Sequence, residues 1–192
     1  MTQATYLNNH LLIAMPSLQD PNFNQTVIYV CEHSSKGAIG IVINRPTDLS
    51  LDYIFGQMDI KVAYEPANHI PVMQGGPIQT ERGFILHNPT KAYRSSLKTY
   101  PKEQEGLAVT TSQDILEELA MGKGPKEILV ALGYAGWEAG QLEEEMIQNV
   151  WLSCTTAPDI IFNTPFDKRW EAAAALIGIH NMHLVSGDTG HA

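Results

Sequence analysis

Short apolar runs in the first third of the chain predict a pair of neighbouring strands. Residues 26–31 are β-branched and aromatic, and residues 38–43 form an almost continuous apolar run. A polar turn at 33–37 separates the runs, so we expect adjacent strands, the second buried on both faces. Asn44-Arg45-Pro46 ends the second strand, because proline cannot continue a central ladder.

The next segment mixes a helical repeat with strands. Leu51, Ile54, Phe55 and Met58 recur at helical spacing and predict a short helix over 50–58. Strands follow at 71–74 and 84–86, with a sharp loop at Gly75-Gly76-Pro77 between them. Residues 88–106 are polar and turn-rich, and they form either an excursion or the boundary between two lobes.

From residue 106 onward, strand and helix patterns alternate. Strands are predicted at 107–110, 128–132 and 150–154, with helices at 111–121 and 137–147 between them. Thr111 and Asp114 predict a capping box, and a last helix begins at Thr164-Pro165. This strand–helix–strand order indicates a crossover unit, so the expected fold class is mixed α/β.

The amino-acid composition indicates the class of protein. The chain has 192 residues, of which 44% are hydrophobic and 17% charged, which suits one domain or two small lobes that share a core. No eighteen apolar residues stand together, so we expect no membrane span. The first twenty residues carry no Lys or Arg and only a short apolar run, which predicts a cytoplasmic protein without a signal peptide. Cys31 and Cys154 are expected to be buried free thiols.

The net charge of −9 disfavours nucleic acid as the main partner. One stretch of the chain is basic despite this negative net charge. Lys91, Arg94, Lys98 and Lys102 recur every three or four residues. They fit either contact with a phosphate backbone or an acidic partner, or a solvated loop face.

Residues 133–140 carry three glycines in a Gly-x-x-Gly-x-x-x-Gly pattern, placed between a predicted strand and a predicted helix. The spacing is neither a dinucleotide fingerprint nor a phosphate-binding loop. The pattern favours a tight turn that lets Trp137 pack, and an anion site at the helix start is the alternative.

Catalytic and metal motifs are missing from the sequence. His180 and His183 lack a third ligand at a recognised spacing, so no metal site is predicted. Ser95-x-x-Lys98 stands without the other elements of the serine acyl-transfer enzymes. No cofactor is expected, and an enzymatic activity is disfavoured without being ruled out.

Glu32 and His33 end one predicted strand, and Arg45 follows the end of the next. A carboxylate, an imidazole and a guanidinium at one sheet edge would bind an anion or transfer a proton. A salt bridge that fixes the hairpin explains the same residues, so both readings stay open.

Taken together, the motifs resemble the YqgE/AlgH family of bacterial proteins, in order and nearly end to end. The resemblance implies a coiled, bifurcated mixed β-sheet with flanking helices, in one chain without a cofactor. One lineage of that family is labelled a transcriptional regulator of alginate biosynthesis, a label that this acidic sequence supports little. The matching blocks are Leu12-Ile-Ala-Met-Pro16, Thr26-Val-Ile-Tyr-Val-Cys-Glu-His33, Gly40-Ile-Val-Ile-Asn-Arg-Pro46, Gly75-Gly-Pro77, Arg82-Gly-Phe-Ile-Leu-His87, Gly133-Tyr-Ala-Gly-Trp137, Gly140-Gln-Leu-Glu143 and Gly190-His-Ala192.

Our leading hypothesis is a cytosolic binding or regulatory module that takes a small anionic ligand or a protein partner. Its polar pocket is expected at strand ends, where loop residues often carry function. The alternatives are an enzyme that uses Glu32 or His33 as acid or base with Arg45, and a transcriptional regulator that acts through the basic stretch. The residues expected to line the pocket are Glu32, His33, Asn44, Arg45, Pro46, Gly75, Gly76, Pro77, Trp137 and Gln141.

Overall fold

The structure is a computed structural model that describes residues 6–98 and 106–182. Its strands are β1 (His10–Ala14), β2 (Val27–Ser34), β3 (Gly37–Val42), β4 (Pro46–Ser50), β5 (Pro71–Gln74), β6 (Ile78–His87), β7 (Leu97–Lys98), β8 (Ala108–Thr110), β9 (Ile128–Glu138) and β10 (Trp151–Thr155). Its helices are α1 (Leu51–Gln57), α2 (Gln113–Ala120), α3 (Gln141–Ile147), α4 (Pro158–Phe162) and α5 (Arg169–Leu176), with 3₁₀ turns at Glu65–His69 and Phe166–Lys168.

The strands form two sheets that share β9. Sheet A runs in the order β10-β1-β2-β3-β9, and sheet B in the order β4-β5-β9-β6-β8-β7. Along one edge of β9, Ala135 and the residues after it pair with β3, while residues 130–132 pair with β5. The β5–β9 pairing is parallel, and its neighbours are antiparallel. The expected bifurcated, mixed sheet is therefore confirmed, and β9 is the strand at which it divides.

Glycines allow the backbones to meet where the sheet divides. The Val42 amide donates to the Gly75 carbonyl at 2.8 Å, and the Gly75 amide donates to Leu132 at 2.7 Å. A Cβ on Gly76 would lie 2.1 Å from the carbonyl carbon of Tyr134. Gly133 has φ +75°, and a Cβ there would lie 2.4 Å from the Gly76 oxygen. Close backbone approach therefore excludes side chains at these positions.

This packing corrects the expected turn at 133–140 and the helix expected from Trp137. Strand β9 continues for 11 residues through Trp137 to Glu138, and α3 begins only at Gln141. Gly133 lies inside β9 and allows the loop between β5 and β6 to approach at Gly76, a role that the sequence pattern does not distinguish from a turn.

The helices connect parallel strands, as the predicted crossover requires. Strands β8 and β9 both pair antiparallel with β6, one on each side, so they run parallel, and α2 lies between them in the chain. Helix α3 connects β9 to β10 across the width of sheet A. In both connections the helix returns the chain to the same end of the sheet.

Three apolar layers cover the sheets. The first is continuous across both sheets beneath α4 and α5 and contains Trp170 and the two free thiols, Cys31 and Cys154, as expected. The second lies on the other face of sheet B under α1 and α2. The third lies on the other face of sheet A beside α3 and contains Trp137 and Trp151. None of the helices in residues 6–98 and 106–182 is long and apolar enough to cross a membrane.

Candidate functional site

The structure separates Arg45 from Glu32 and His33, which corrects the expectation that they share one sheet edge. Glu32 pairs with Ile39 near the turn of the β2–β3 hairpin, and Arg45 lies six residues beyond Ile39. At the rise of a strand, that is about 20 Å. The hairpin is antiparallel, so Glu32 and His33 at the end of β2 lie beside the start of β3, and Arg45 lies beyond the other end of β3.

His33 is buried at the turn end of the hairpin. The Leu7 amide donates to its Nδ1 at 3.0 Å, and Nε2 lies 3.1 Å from Glu143 Oε1 on α3. The Asn8 side chain also pairs with the His33 backbone, at 2.8 and 2.9 Å. The imidazole thus ties the start of the described chain and α3 to the hairpin, and Glu32 beside it is exposed.

Arg45 holds the loop that precedes β2. Its two terminal nitrogens donate to the carbonyls of Pro21, Asn22 and Asn24 and to Asn24 Oδ1, at 2.7–3.0 Å. Burial lowers the pKa of the guanidinium, and Asp20 partly offsets this effect. Four of its five N–H groups are therefore already occupied.

Asn44 also binds backbone groups around the start of β2. Its Oδ1 accepts from the Val27 amide and its Nδ2 donates to the Gln25 carbonyl, each at 2.9 Å. Asn44 and Arg45 line a polar cavity of about 430 Å³ at the strand ends, opposite α5. Pro46 is the first residue of β4 and is exposed.

The remaining expected residues lie elsewhere. Gly75 and Gly76 are buried where the sheet divides, with Pro77 exposed beside them. Trp137 Nε1 donates to Glu145 Oε2 at 2.9 Å, and Gln141 Nε2 donates to the other oxygen of the same carboxylate at 2.9 Å. The ten expected residues thus occupy separate places in the fold, and they do not line one pocket.

Sequence reasoning missed a cleft of about 540 Å³ on the α1/α2 face of sheet B. Its floor is formed by two cross-strand pairs, Ile85 with Val130 and Gly83 with Leu132. A Cβ on Gly83 would meet no described atom within 4 Å. The cleft is deep there because one member of a pair has no side chain.

Two helices form the walls of this α1–α2 cleft. Helix α1 contributes Tyr53 and Ile54, Met58 follows directly after the helix, and Leu116 of α2 faces them. Tyr53 is half exposed at the rim. The lining is predominantly apolar, and its volume falls within the roughly 300–1,000 Å³ of small-molecule sites.

Some polar groups of the cleft already have hydrogen-bond partners, and others do not. Ser112 Oγ donates to Asp114 Oδ1 at 2.5 Å, and the same oxygen accepts from the Ile115 amide at 3.1 Å. The start of α2 therefore already holds a carboxylate, which disfavours a second anion there. Four polar lining side chains make no hydrogen bond to another described residue: Tyr53, Gln57, Thr80 and Glu81.

Comparison with known proteins identifies the relatives of this fold. The family model described as AlgH-like matches residues 11–182. The chain belongs to the AlgH-like family. Similar proteins include a UPF0301 protein of Thioalkalivibrio sulfidiphilus, 53% identical with full coverage of both chains, and one of Burkholderia mallei, 52% identical over 97% of this chain and 95% of that protein.

Solved structures agree with the fold of the AlgH-like chain. The solution structure of the AlgH protein from Pseudomonas aeruginosa is 47% identical, with a TM-score of 0.77 and full coverage of both chains. A crystal structure of a Corynebacterium diphtheriae protein has a TM-score of 0.72 at 17% identity, covering 98% of this chain and 95% of that one. At that identity the likeness concerns the fold alone.

A buried polar network closes one end of the cleft in this AlgH-like protein. His87 Nε2 lies 2.8 Å from Thr110 Oγ1, which lies 2.7 Å from Ser96 Oγ, and His87 Nδ1 faces the Asn88 carbonyl at 2.8 Å. Burial lowers the pKa of His87, and the Asn88 carbonyl partly offsets this. The network anchors part of the turn-rich segment to β8.

The basic stretch and the histidines form no site in the AlgH-like chain as described. Lys91 forms an ion pair with Glu118, while the Lys98 side chain and Lys102 lie outside the described residues. No three His, Cys, Asp or Glu side chains converge as metal ligands within 6–98 and 106–182. His183 lies beyond that part, and His180 lies inside it.

Proposed function

We propose that this AlgH-like protein is a binding module whose α1–α2 cleft takes the apolar part of a small amphipathic ligand. The observation that carries the proposal is the gap above Gly83, opposite Leu132, in an otherwise filled apolar floor. A glycine inside a strand marks a bulge, or a close approach by a ligand or another backbone. The register between β6 and β9 shifts between Ile78 and Gly83, and no described atom fills the space above Gly83, where we place the ligand.

The charge of the cleft selects among ligands. Glu81 is its charged lining residue, and Gln57 and Thr80 add a neutral amide and a hydroxyl. A carboxylate accepts hydrogen bonds and repels anions. The preferred ligand is therefore uncharged or cationic and carries a donor group, rather than the small anion that the sequence indicated.

Two further expectations remain proposals. A cytoplasmic location is supported by the two free buried thiols, since reducing compartments keep cysteines unpaired. Treating the chain as one domain is supported by β9, which belongs to both sheets.

The alternatives receive less support. The enzyme hypothesis needed Glu32, His33 and Arg45 together, and the hairpin keeps Arg45 at its other end. DNA binding through the basic stretch is opposed by the net charge of −9 and by the pairing of Lys91 with Glu118.

A fluorescent probe tests the proposal. N-phenyl-1-naphthylamine is uncharged, apolar and carries one N–H donor, and its emission rises in apolar surroundings. We expect saturable binding, with chemical-shift changes concentrated at the amides of Gly83, Ile85, Val130 and Leu132. Saturable binding with shifts elsewhere, or no binding, would refute the proposal.

A further inference from the structure

A second cavity lies on the opposite face of sheet B from the α1–α2 cleft. It has a volume of about 240 Å³ and lies over Phe84 and Tyr134, whose rings meet edge to face at 5.7 Å. Ile39 and Leu97 form its sides and are 38% and 49% exposed. This Glu32 cavity, named for the carboxylate at its edge, presents apolar surface that an occupant would cover.

Two opposite charges line the cavity without pairing. The Glu32 side chain makes no hydrogen bond and no ion pair with any described residue. Arg82 stacks over the Phe84 ring at 5.4 Å, and its described hydrogen bond is a long one of 3.4 Å to Gln79. Most N–H groups of this guanidinium therefore remain available to a ligand.

Ser95 adds a hydroxyl donor to the same cavity. Its oxygen accepts from the Thr111 amide at 2.9 Å and from the Thr111 hydroxyl at 3.1 Å. Both contacts use the lone pairs of Ser95 Oγ, so its own hydrogen is free to donate. Arg82 and Ser95 together offer the planar and hydroxyl donors that bind a carboxylate.

We propose that the Glu32 cavity binds a free α-amino acid with an apolar side chain. The ammonium group pairs with Glu32, and the carboxylate accepts from Arg82 and Ser95. The side chain packs on Phe84 and Tyr134. A simple anion would be repelled by Glu32 and a simple cation by Arg82, whereas a zwitterion satisfies both. The volume is below that of most drug-sized sites, as an amino acid requires.

Calorimetric titration of the full chain with L-leucine and L-phenylalanine tests the assignment. N-acetyl-L-leucine lacks the ammonium group, and L-leucinamide lacks the carboxylate. We expect each analogue to bind about tenfold more weakly than L-leucine, or worse, because one charge of the site loses its partner. Absence of saturable binding by both amino acids, or equal binding of the acetylated analogue, would overturn the proposal.

Charge-removing variants then locate the site. Glu32→Gln should weaken L-leucine about tenfold but should not weaken N-acetyl-L-leucine, whose repulsion by Glu32 it removes. Arg82→Gln should weaken L-leucine similarly but should not weaken L-leucinamide, whose repulsion by Arg82 it removes. Glu81→Gln, in the other cleft, is the matched control and should not alter L-leucine binding. Unchanged L-leucine affinity in both Glu32→Gln and Arg82→Gln would refute the site.

This proposal stands independently of the α1–α2 cleft. Loss of naphthylamine binding with retained leucine binding would remove only the first proposal, and the reverse pattern would remove only the second.

Discussion

Trp137 and Trp151 donate to the same oxygen, Oε2 of Glu145, at 2.9 and 2.8 Å. Their rings meet edge to face with centroids 6.1 Å apart. Trp137 lies one residue before the end of β9 and Trp151 begins β10, so Glu145 on α3 links the two ends of the crossover on the α3 face of sheet A.

We expect Glu145→Gln to lower the free energy of unfolding by about 2 kcal/mol, because both indole donors lose a charged acceptor. Urea unfolding followed by tryptophan fluorescence measures the change. The exposed neighbour Glu144, which accepts from Gln148, supplies the control variant Glu144→Gln. Equal effects of the two substitutions would show that the shared carboxylate is not stabilising.

A comparison of Gly133 with Gly140 distinguishes the cost of a left-handed backbone conformation from the cost of a steric clash. Their φ angles are +75° and +79°, yet only Gly133 would place a Cβ against another described backbone, at 2.4 Å from the Gly76 oxygen. We expect Gly140→Ala to cost about 1–2 kcal/mol and Gly133→Ala about 3 kcal/mol or more, measured by urea unfolding. Similar losses at both sites would contradict the account of the dividing sheet.

Arg45→Met should release the loop at 21–24, because four hydrogen bonds are lost. We expect faster proteolysis within that loop and a loss of about 1–3 kcal/mol in unfolding free energy. Arg94→Met, at an exposed guanidinium with no described hydrogen bond from its side chain, is the control. Naphthylamine affinity should not change in either variant, since neither residue lines the α1–α2 cleft; a loss with Arg45→Met alone would favour the strand-end pocket.

His87 should make stability depend on pH. Its pKa is lowered in the folded protein, so the unfolded chain takes up the proton more readily as the pH falls below about 6.5. Stability is therefore lost on acidification through that range. His87→Gln keeps a donor for Asn88 and an acceptor for Thr110 without titrating there. Urea unfolding at several pH values should give a shallower slope for the variant, and identical slopes would contradict the prediction.

The sequence predicted the local elements well because each depends on its own pattern. The β2–β3 hairpin, α1 and the crossover helices follow from apolar spacing and turn residues. It failed where the partner of a residue is distant in the chain. The Gly133 block resembles a turn until β5 is known to lie against it, and Arg45 is placed beside Glu32 only if the hairpin direction is ignored.

The α1–α2 cleft was beyond sequence reasoning for a similar reason. Gly83 stands between the polar residues 79–82 and the apolar run at 84–86, so the sequence does not show that a strand runs through it. The effect of Gly83 depends on Leu132 lying opposite and on two helices leaving the space above uncovered. No local pattern carries that information.

Substitution of Gly83 tests the central claim most directly. Gly83→Ala should weaken N-phenyl-1-naphthylamine binding, and Gly83→Val should abolish it by filling the cleft, while a β-branched residue in a strand leaves the unfolding free energy unchanged or higher. Gly56→Ala, at an exposed glycine that also has open space but lies outside the cleft lining, is the control and should bind normally. Undiminished probe binding by a stable Gly83→Val protein would contradict the account.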